Sequence, residues 1–141
     1  MIGAATSWEK NMASVTVESE LTCPAERAWA LLADFRNPHK AFAGVLTNAR
    51  AEDGGRVVTF ANGMEAREIM VDRDDVRRRI AYAAVGGRFS QHAAAMQIVE
   101  NGGGCRFLWT SDFLPDDAAA LVEGLMRQGA AAFARVAEGR P

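Results

Sequence analysis

The chain has 141 residues, of which 49% are hydrophobic and 24% charged. This composition is typical of an ordinary globular protein that is long enough to bury a core. The formal net charge of −2 argues against a nucleic-acid partner, and no apolar run approaches the roughly 20 residues that span a bilayer.

Residues 1–12 have no clear periodicity, and we interpret them as a leader before one domain, residues 13–141. The leader lacks the basic and apolar regions of a secretory signal. For Trp8 within it, packing onto the domain or a partner is favoured over a ligand contact. Cys23 and Cys105 are too few for a disulfide framework and lack metal-ligand spacing. Reduced thiols and a cytoplasmic location are therefore expected.

The first strand is predicted by alternating apolar and polar residues at Val15, Val17, Ser19 and Leu21. Pro24 predicts a helix start, because its missing N–H is harmless there. Apolar residues at helical spacing carry this helix to about Asp34. Asn37-Pro38 ends it, and a short helical turn around Phe42 follows.

Six further strands are predicted between turn residues, at Val45–Ala51, Arg56–Phe60, Met64–Val71, Arg78–Val85, Gln91–Val99 and Cys105–Phe113. Asn62-Gly63 predicts a two-residue hairpin turn, since both central residues of that turn need positive φ. Pro115 ends the sheet, and Asp116 or Asp117 is expected to cap a last helix. The apolar stripe of this helix is Ala118, Val122, Leu125, Gly129, Ala132 or Phe133, and Val136.

The element order is strand, helix, six strands, helix, which predicts an α+β fold. A long antiparallel sheet twists and curls, and one helix cannot fill its concave face everywhere. The sequence therefore predicts a cavity between the sheet and the C-terminal helix. That helix contains Gly124 and Gly129, each costing roughly 1 kcal/mol relative to alanine. Such small residues either allow close packing or leave open space, and both interpretations stay open.

Alternation along the strands assigns side chains to the concave face. On the last three strands the more apolar face is taken to point inward, which would keep an inward histidine neutral. Together with the helix, these faces predict a cavity wall of Tyr82, His92, Met96, Phe107, Trp109 and Leu125. On the fourth strand, pairing across the Asn62-Gly63 turn instead favours burial of Arg67 and Ile69, with Glu68 outside.

The chain resembles the SRPBCC (START-like, helix-grip) superfamily, and most of all its bacterial polyketide cyclase/dehydrase-type branch. The resemblance covers roughly residues 15–137, and the features that carry it are Pro24-x-x-x-x-Trp29, Arg67-Glu68-Ile69 with Asp72, Arg79 with Tyr82, Gly86-Gly87, Gly104-x-x-x-x-Trp109 and the closing helix. It implies a helix-grip fold, in which a curved antiparallel sheet of about seven strands wraps around a long C-terminal helix. One or two short helices follow the first strand.

The resemblance also implies an internal cavity for lipids, hormones, polyketides or other apolar molecules. In ligand-binding relatives such as the plant abscisic-acid receptors, equivalent acidic residues line the cavity, which implies that Glu68 points inward. We adopt this orientation. Hairpins centred on Asp75 and Gly87 would then place Glu68 opposite Tyr82 and Tyr82 opposite His92, in one polar row across three strands.

Two functions follow, and the first is binding of a small apolar or aromatic ligand by Glu68, Tyr82, His92, Met96, Phe107, Trp109 and Leu125. The alternative is a cyclase, aromatase or dehydratase-type enzyme. In it, His92 would take a proton α to a carbonyl while Tyr82 donates a hydrogen bond to the enolate. A third hypothesis is a filled cavity and a surface partner. His92 and Trp109 also suit ordinary core positions.

No cofactor or metal is expected. His39 and His92 have no acidic or cysteine partners at ligand spacing. Gly102-Gly103-Gly104 joins two strands and opens no helix, so it does not resemble a phosphate-binding loop. The choice between a monomer and a homodimer stays open at this stage.

Overall fold

The architecture is a seven-stranded antiparallel sheet that holds a long helix, as a computed structural model of residues 11–141 shows. Trp8 and the rest of residues 1–10 lie outside the described residues. The strands are β1 (Ala13–Leu21), β2 (Leu46–Glu52), β3 (Gly55–Phe60), β4 (Glu65–Asp74), β5 (Arg79–Val85), β6 (Gln91–Asn101) and β7 (Gly104–Leu114). Their order across the sheet is β1-β7-β6-β5-β4-β3-β2. The helices are α1 (Ala25–Ala33), α2 (Pro38–Ala41) and α3 (Ala119–Ala137). The predicted helix-grip fold is confirmed.

The core lies between the concave face of the sheet and α3. Alternate residues of β7 point into it, and Phe107 and Phe113 have no exposed surface. Phe133 of α3 packs onto Phe107 with ring centroids 4.6 Å apart. This contact fills the concave face in front of Phe107.

The start of α3 differs from the prediction. A 3-10 turn over Asp116–Ala118 precedes the helix, the N-cap is Ala118, and no side chain caps it. The prediction that Asp116 or Asp117 caps the helix is therefore wrong. The buried stripe is also slightly rotated, because Met126 is buried whereas Leu125 is half-buried.

The turn between β3 and β4 has three residues, not the predicted two. The N–H of Phe60 donates to the carbonyl of Met64 at 2.8 Å, and within the turn only Gly63 has positive φ, at 89°. Arg56 consequently pairs with Glu68 in the β3–β4 ladder. A shift of one residue reverses the faces of a strand, which is why Glu68 lies on the concave side and Ile69 on the convex side.

The two hairpins around β5 are displaced by two residues from their predicted register. Glu68 pairs with Ala84, while Tyr82 pairs with Met70 on one side and Ala94 on the other. A bulge between Met70 and Asp72 changes the β4–β5 register further along. The predicted row of Glu68, Tyr82 and His92 is therefore wrong at its middle position, where Ala84 and not Tyr82 lies between the other two.

Gly104 offers a test of the β1–β7 packing. A Cβ at Gly104 would overlap the carbonyl oxygen of Leu21, whereas a Cβ at Gly103 would meet no atom within 4 Å. We expect Gly104→Ala to lower the free energy of unfolding by about 1–3 kcal/mol, because backbone must move to admit the methyl group. Gly103→Ala is the control and should change it by less than about 0.5 kcal/mol. Chemical denaturation measures both, and equal effects would contradict the described packing.

Candidate functional site: a cavity between the sheet and the C-terminal helix

A cavity of about 230 Å³ lies between the concave face of the sheet and α3. The sheet contributes inward side chains of β3 to β7, and α3 contributes Val122, Leu125 and Met126. The rim includes the β5–β6 turn at Gly86-Gly87 and the partly exposed side chains of Met64 and Leu121. The wall is mostly apolar, with a small number of polar groups among the strands.

The structure brings six of the seven sequence-predicted ligand-binding residues to this wall: Glu68, Tyr82, His92, Met96, Trp109 and Leu125. Phe107 does not line the cavity. Alternation assigned its face correctly, but the Phe133 ring occupies the space in front of it. Alternation along a strand predicts which way a side chain points. It does not predict which side chain of the helix lies opposite.

Trp109 forms a fixed part of the wall because α3 approaches it closely. A Cβ at Gly129 would come within 2.8 Å of the Trp109 ring, whereas Gly124 has open space around it. Of the two interpretations of the helix glycines, close packing and open space, close packing therefore applies to Gly129. The indole N–H of Trp109 donates to the Tyr82 hydroxyl oxygen at 3.1 Å, and this bond fixes the orientation of the ring.

The polar floor of the cavity is an ion pair between Arg56 and Glu68. The guanidinium Nε donates to Oε1 of Glu68 at 2.8 Å, and the two side chains are only 8% and 13% exposed. Arg56 also donates from Nη1 to the carbonyl of Phe35 at 2.9 Å. Its guanidinium carbon lies 3.9 Å from the centroid of the Phe35 ring and 5.5 Å from that of Tyr82.

Sequence reasoning missed Arg56. An arginine at a strand start suits an exposed edge, and arginine is seldom buried without a partner. Its pairing opposite Glu68 on the neighbouring strand could have indicated that Arg56 is buried with a partner of opposite charge. The incorrect turn length hid that position.

Tyr82 is a hydrogen-bond donor held in its neutral form. Its hydroxyl oxygen accepts from Trp109, and no acceptor for its own proton lies within hydrogen-bonding distance among residues 11–141. Burial and then the negative charge of Glu68 raise the pKa of Tyr82 well above its ordinary value, although Arg56 partly opposes this. The hydroxyl proton is thus available to a bound molecule.

His92 is held by the backbone of the neighbouring strand. Its Nδ1 accepts from the N–H of Ala84 at 3.0 Å, beyond the last regular pair of the β5–β6 ladder, which joins Tyr82 and Ala94. Burial lowers the pKa of His92, and the charge of Asp112 only partly offsets this. The neutral ring therefore carries its proton on Nε2. Because its one lone pair is engaged, His92 is arranged as a donor and not as a base.

The described residues offer no other obvious chemistry. Between residues 11 and 141 no three His, Cys, Asp or Glu side chains are grouped so that they could hold a metal ion. None of the helices in this part of the chain has the length and apolar character needed to cross a membrane. The cavity is therefore the candidate site.

The family model described as "Polyketide cyclase / dehydrase and lipid transport" matches residues 12–138. No curated protein matches the sequence. Solved structures share the fold. An uncharacterized protein from Bacillus thuringiensis is 19% identical with a TM-score of 0.80, covering 87% of this chain and 97% of that one.

Two further solved structures are similar at low identity. The protein XoxI from Bacillus cereus is 18% identical with a TM-score of 0.80, covering 87% of this chain and 94% of its own. A truncated norcoclaurine synthase from Thalictrum flavum is 16% identical with a TM-score of 0.69, covering 89% of this chain and 92% of that one. At these identities the likeness concerns the fold alone.

The depressed pKa of His92 predicts a pH dependence of stability. The unfolded chain takes up a proton at an ordinary histidine pKa of 6.5, whereas folded His92 takes it up only at lower pH. The unfolded state therefore binds more protons as the pH falls through 6.5, and the free energy of unfolding should decrease as the pH is lowered through this value.

In His92→Gln the free energy of unfolding should depend less on pH in this range. The amide oxygen of glutamine can still accept from Ala84 but does not titrate. Wild type is the comparison and should keep the slope. Urea denaturation at several pH values measures both. Equal slopes in wild type and His92→Gln would show that His92 is not the group responsible.

Proposed function

This chain belongs to the polyketide cyclase/dehydrase and lipid transport family, as the resemblance predicted, and from that premise we propose that it binds a compact apolar or aromatic molecule in the cavity. The observation that carries the proposal is the 230 Å³ cavity itself, with apolar walls and a few hydrogen-bonding groups. This combination is typical of small-molecule sites, where apolar area supplies affinity and a few polar groups supply orientation.

The volume favours a small ligand. An apolar cavity of about 150 Å³ accommodates benzene, so 230 Å³ suits one or two rings. A long acyl chain or a polyketide of several rings would extend beyond this volume, past the exposed side chains of Met64 and Leu121 at the rim. The family description names both polyketide chemistry and lipid transport. The volume of this cavity favours a compact ligand over the larger ones that these activities could involve.

The polar groups support binding in one orientation. Tyr82 offers its O–H, His92 offers its Nε2–H, and Glu68 offers the oxygen that Arg56 does not use. These few polar groups among apolar walls select a molecule with a small number of polar atoms.

The same geometry argues against the cyclase or dehydratase alternative. That reaction needs a general base close to a C–H bond. The lone pair of neutral His92 is engaged by Ala84 and Tyr82 is held protonated, so neither residue assigned to that reaction is arranged as its base. Binding without turnover is therefore the function we propose. The cytoplasmic location and a homodimer stay predictions.

Filling the cavity tests the proposal. Ala66 lines the cavity from β4, so Ala66→Phe should occupy much of the space and weaken binding of 2-methoxynaphthalene, a two-ring probe, by roughly tenfold or more, since packed walls cannot yield to both. Ala93 is exposed on the opposite face of the sheet, and Ala93→Phe is the matched control that should bind as wild type does. Equilibrium dialysis measures the three affinities. Undiminished binding by Ala66→Phe would place the probe elsewhere.

A further inference from the structure

We propose that Glu68 is the specificity-determining residue of the cavity, and that it selects neutral hydroxyl donors, so that the ligand class is compact phenols of one or two rings. This inference rests on the proposed binding function and adds to it the chemistry that the cavity recognises. It follows from which atoms of the Arg56–Glu68 pair are already engaged.

Glu68 presents one engaged and one free oxygen. Oε1 accepts from Nε of Arg56 at 2.8 Å, whereas Oε2 has no hydrogen-bond partner among residues 11–141. Glu68 lies on the cavity wall. An ionised carboxylate only accepts hydrogen bonds, so the free oxygen calls for a donor on the ligand. Charge-assisted bonds of this type are among the stronger ones.

The ion pair at the floor of the cavity disfavours charged ligands. Arg56 and Glu68 together carry no net charge, and two of the guanidinium nitrogens are already committed to Glu68 and to the carbonyl of Phe35. A ligand carboxylate would meet the negative charge of Glu68, and a ligand ammonium would meet the positive charge of Arg56. Either ion would also lose its hydration on entering the apolar cavity, a large cost without a matching partner. A neutral hydroxyl avoids both costs.

The remaining wall favours an aromatic framework. Ring side chains line the cavity from several elements, namely Phe42, Phe60, Tyr82, Phe89 and Trp109. Aromatic pairs gain from offset or edge-to-face contacts beyond the area that they bury. With a volume of 230 Å³, one or two fused rings bearing a hydroxyl match the space.

The test compares 2-naphthol with 2-methoxynaphthalene. Both have two rings and an oxygen that can accept, but only the naphthol can donate. Wild type should bind 2-naphthol roughly tenfold more tightly, as expected for one charge-assisted hydrogen bond. In Arg56→Met/Glu68→Leu the ratio should fall to about one, while both probes still bind, because replacing both partners of a buried pair by apolar residues commonly preserves the fold.

A matched control removes an ion pair far from the cavity. Arg106 and Glu20 form an exposed pair between β7 and β1, and Arg106→Met/Glu20→Leu should keep the tenfold ratio. Glu68→Gln provides a second variant that preserves side-chain size; its neutral amide should reduce the ratio without abolishing binding. Circular dichroism establishes that each variant is folded.

The outcomes separate the two proposals. If wild type binds neither probe, the proposed binding function fails. If it binds both equally, or if the ratio persists in both Glu68 variants, the role of Glu68 is wrong while binding stands. Tighter binding of 2-naphthoate than of 2-naphthol by wild type would also overturn it, since an anion would then be preferred.

Discussion

The buried ion pair of Arg56 and Glu68 is the constraint on which the rest of the site depends. Removing either charge from water costs several kcal/mol, so each side chain is stable inside only because the other is present. Arg56 also binds the carbonyl of Phe35 and stacks on its ring, so the pair connects β3, β4 and the segment after α1. The position of the cavity floor follows from these contacts, which leave one carboxylate oxygen of Glu68 without a hydrogen-bond partner among residues 11–141.

The apolar half of the site depends on a second constraint, the close approach of α3 to the sheet. Gly129 has no side chain, and the Trp109 ring occupies the space where one would stand. Farther along, Phe133 meets Phe107 and closes the core. The helix therefore fills one end of the concave face and leaves the other open. The cavity is the space that stays open between the sheet and the first half of α3, where Val122, Leu125 and Met126 form its wall.

Much of this arrangement could be predicted from the sequence, but the decisive details could not. Strict alternation identified the inward faces of β5 to β7, because each has one clearly more apolar face. On β4 both faces are mixed, and its orientation depends on whether the Asn62-Gly63 turn has two residues or three. A change of one residue reverses the strand. Arg56 stayed hidden for the same reason. The role of His92 depends on a bond to the Ala84 backbone, which no periodicity reveals.

The most direct test of this account is a double-mutant cycle on the free energy of unfolding for Arg56 and Glu68. Arg56→Met and Glu68→Leu alone should each cost about 3–5 kcal/mol, because each leaves an unpaired charge in the interior. The double variant should be far more stable than the sum of the two losses predicts, since no charge is then stranded. Losses that add to within about 0.5 kcal/mol would contradict the account, because that is how independent sites behave.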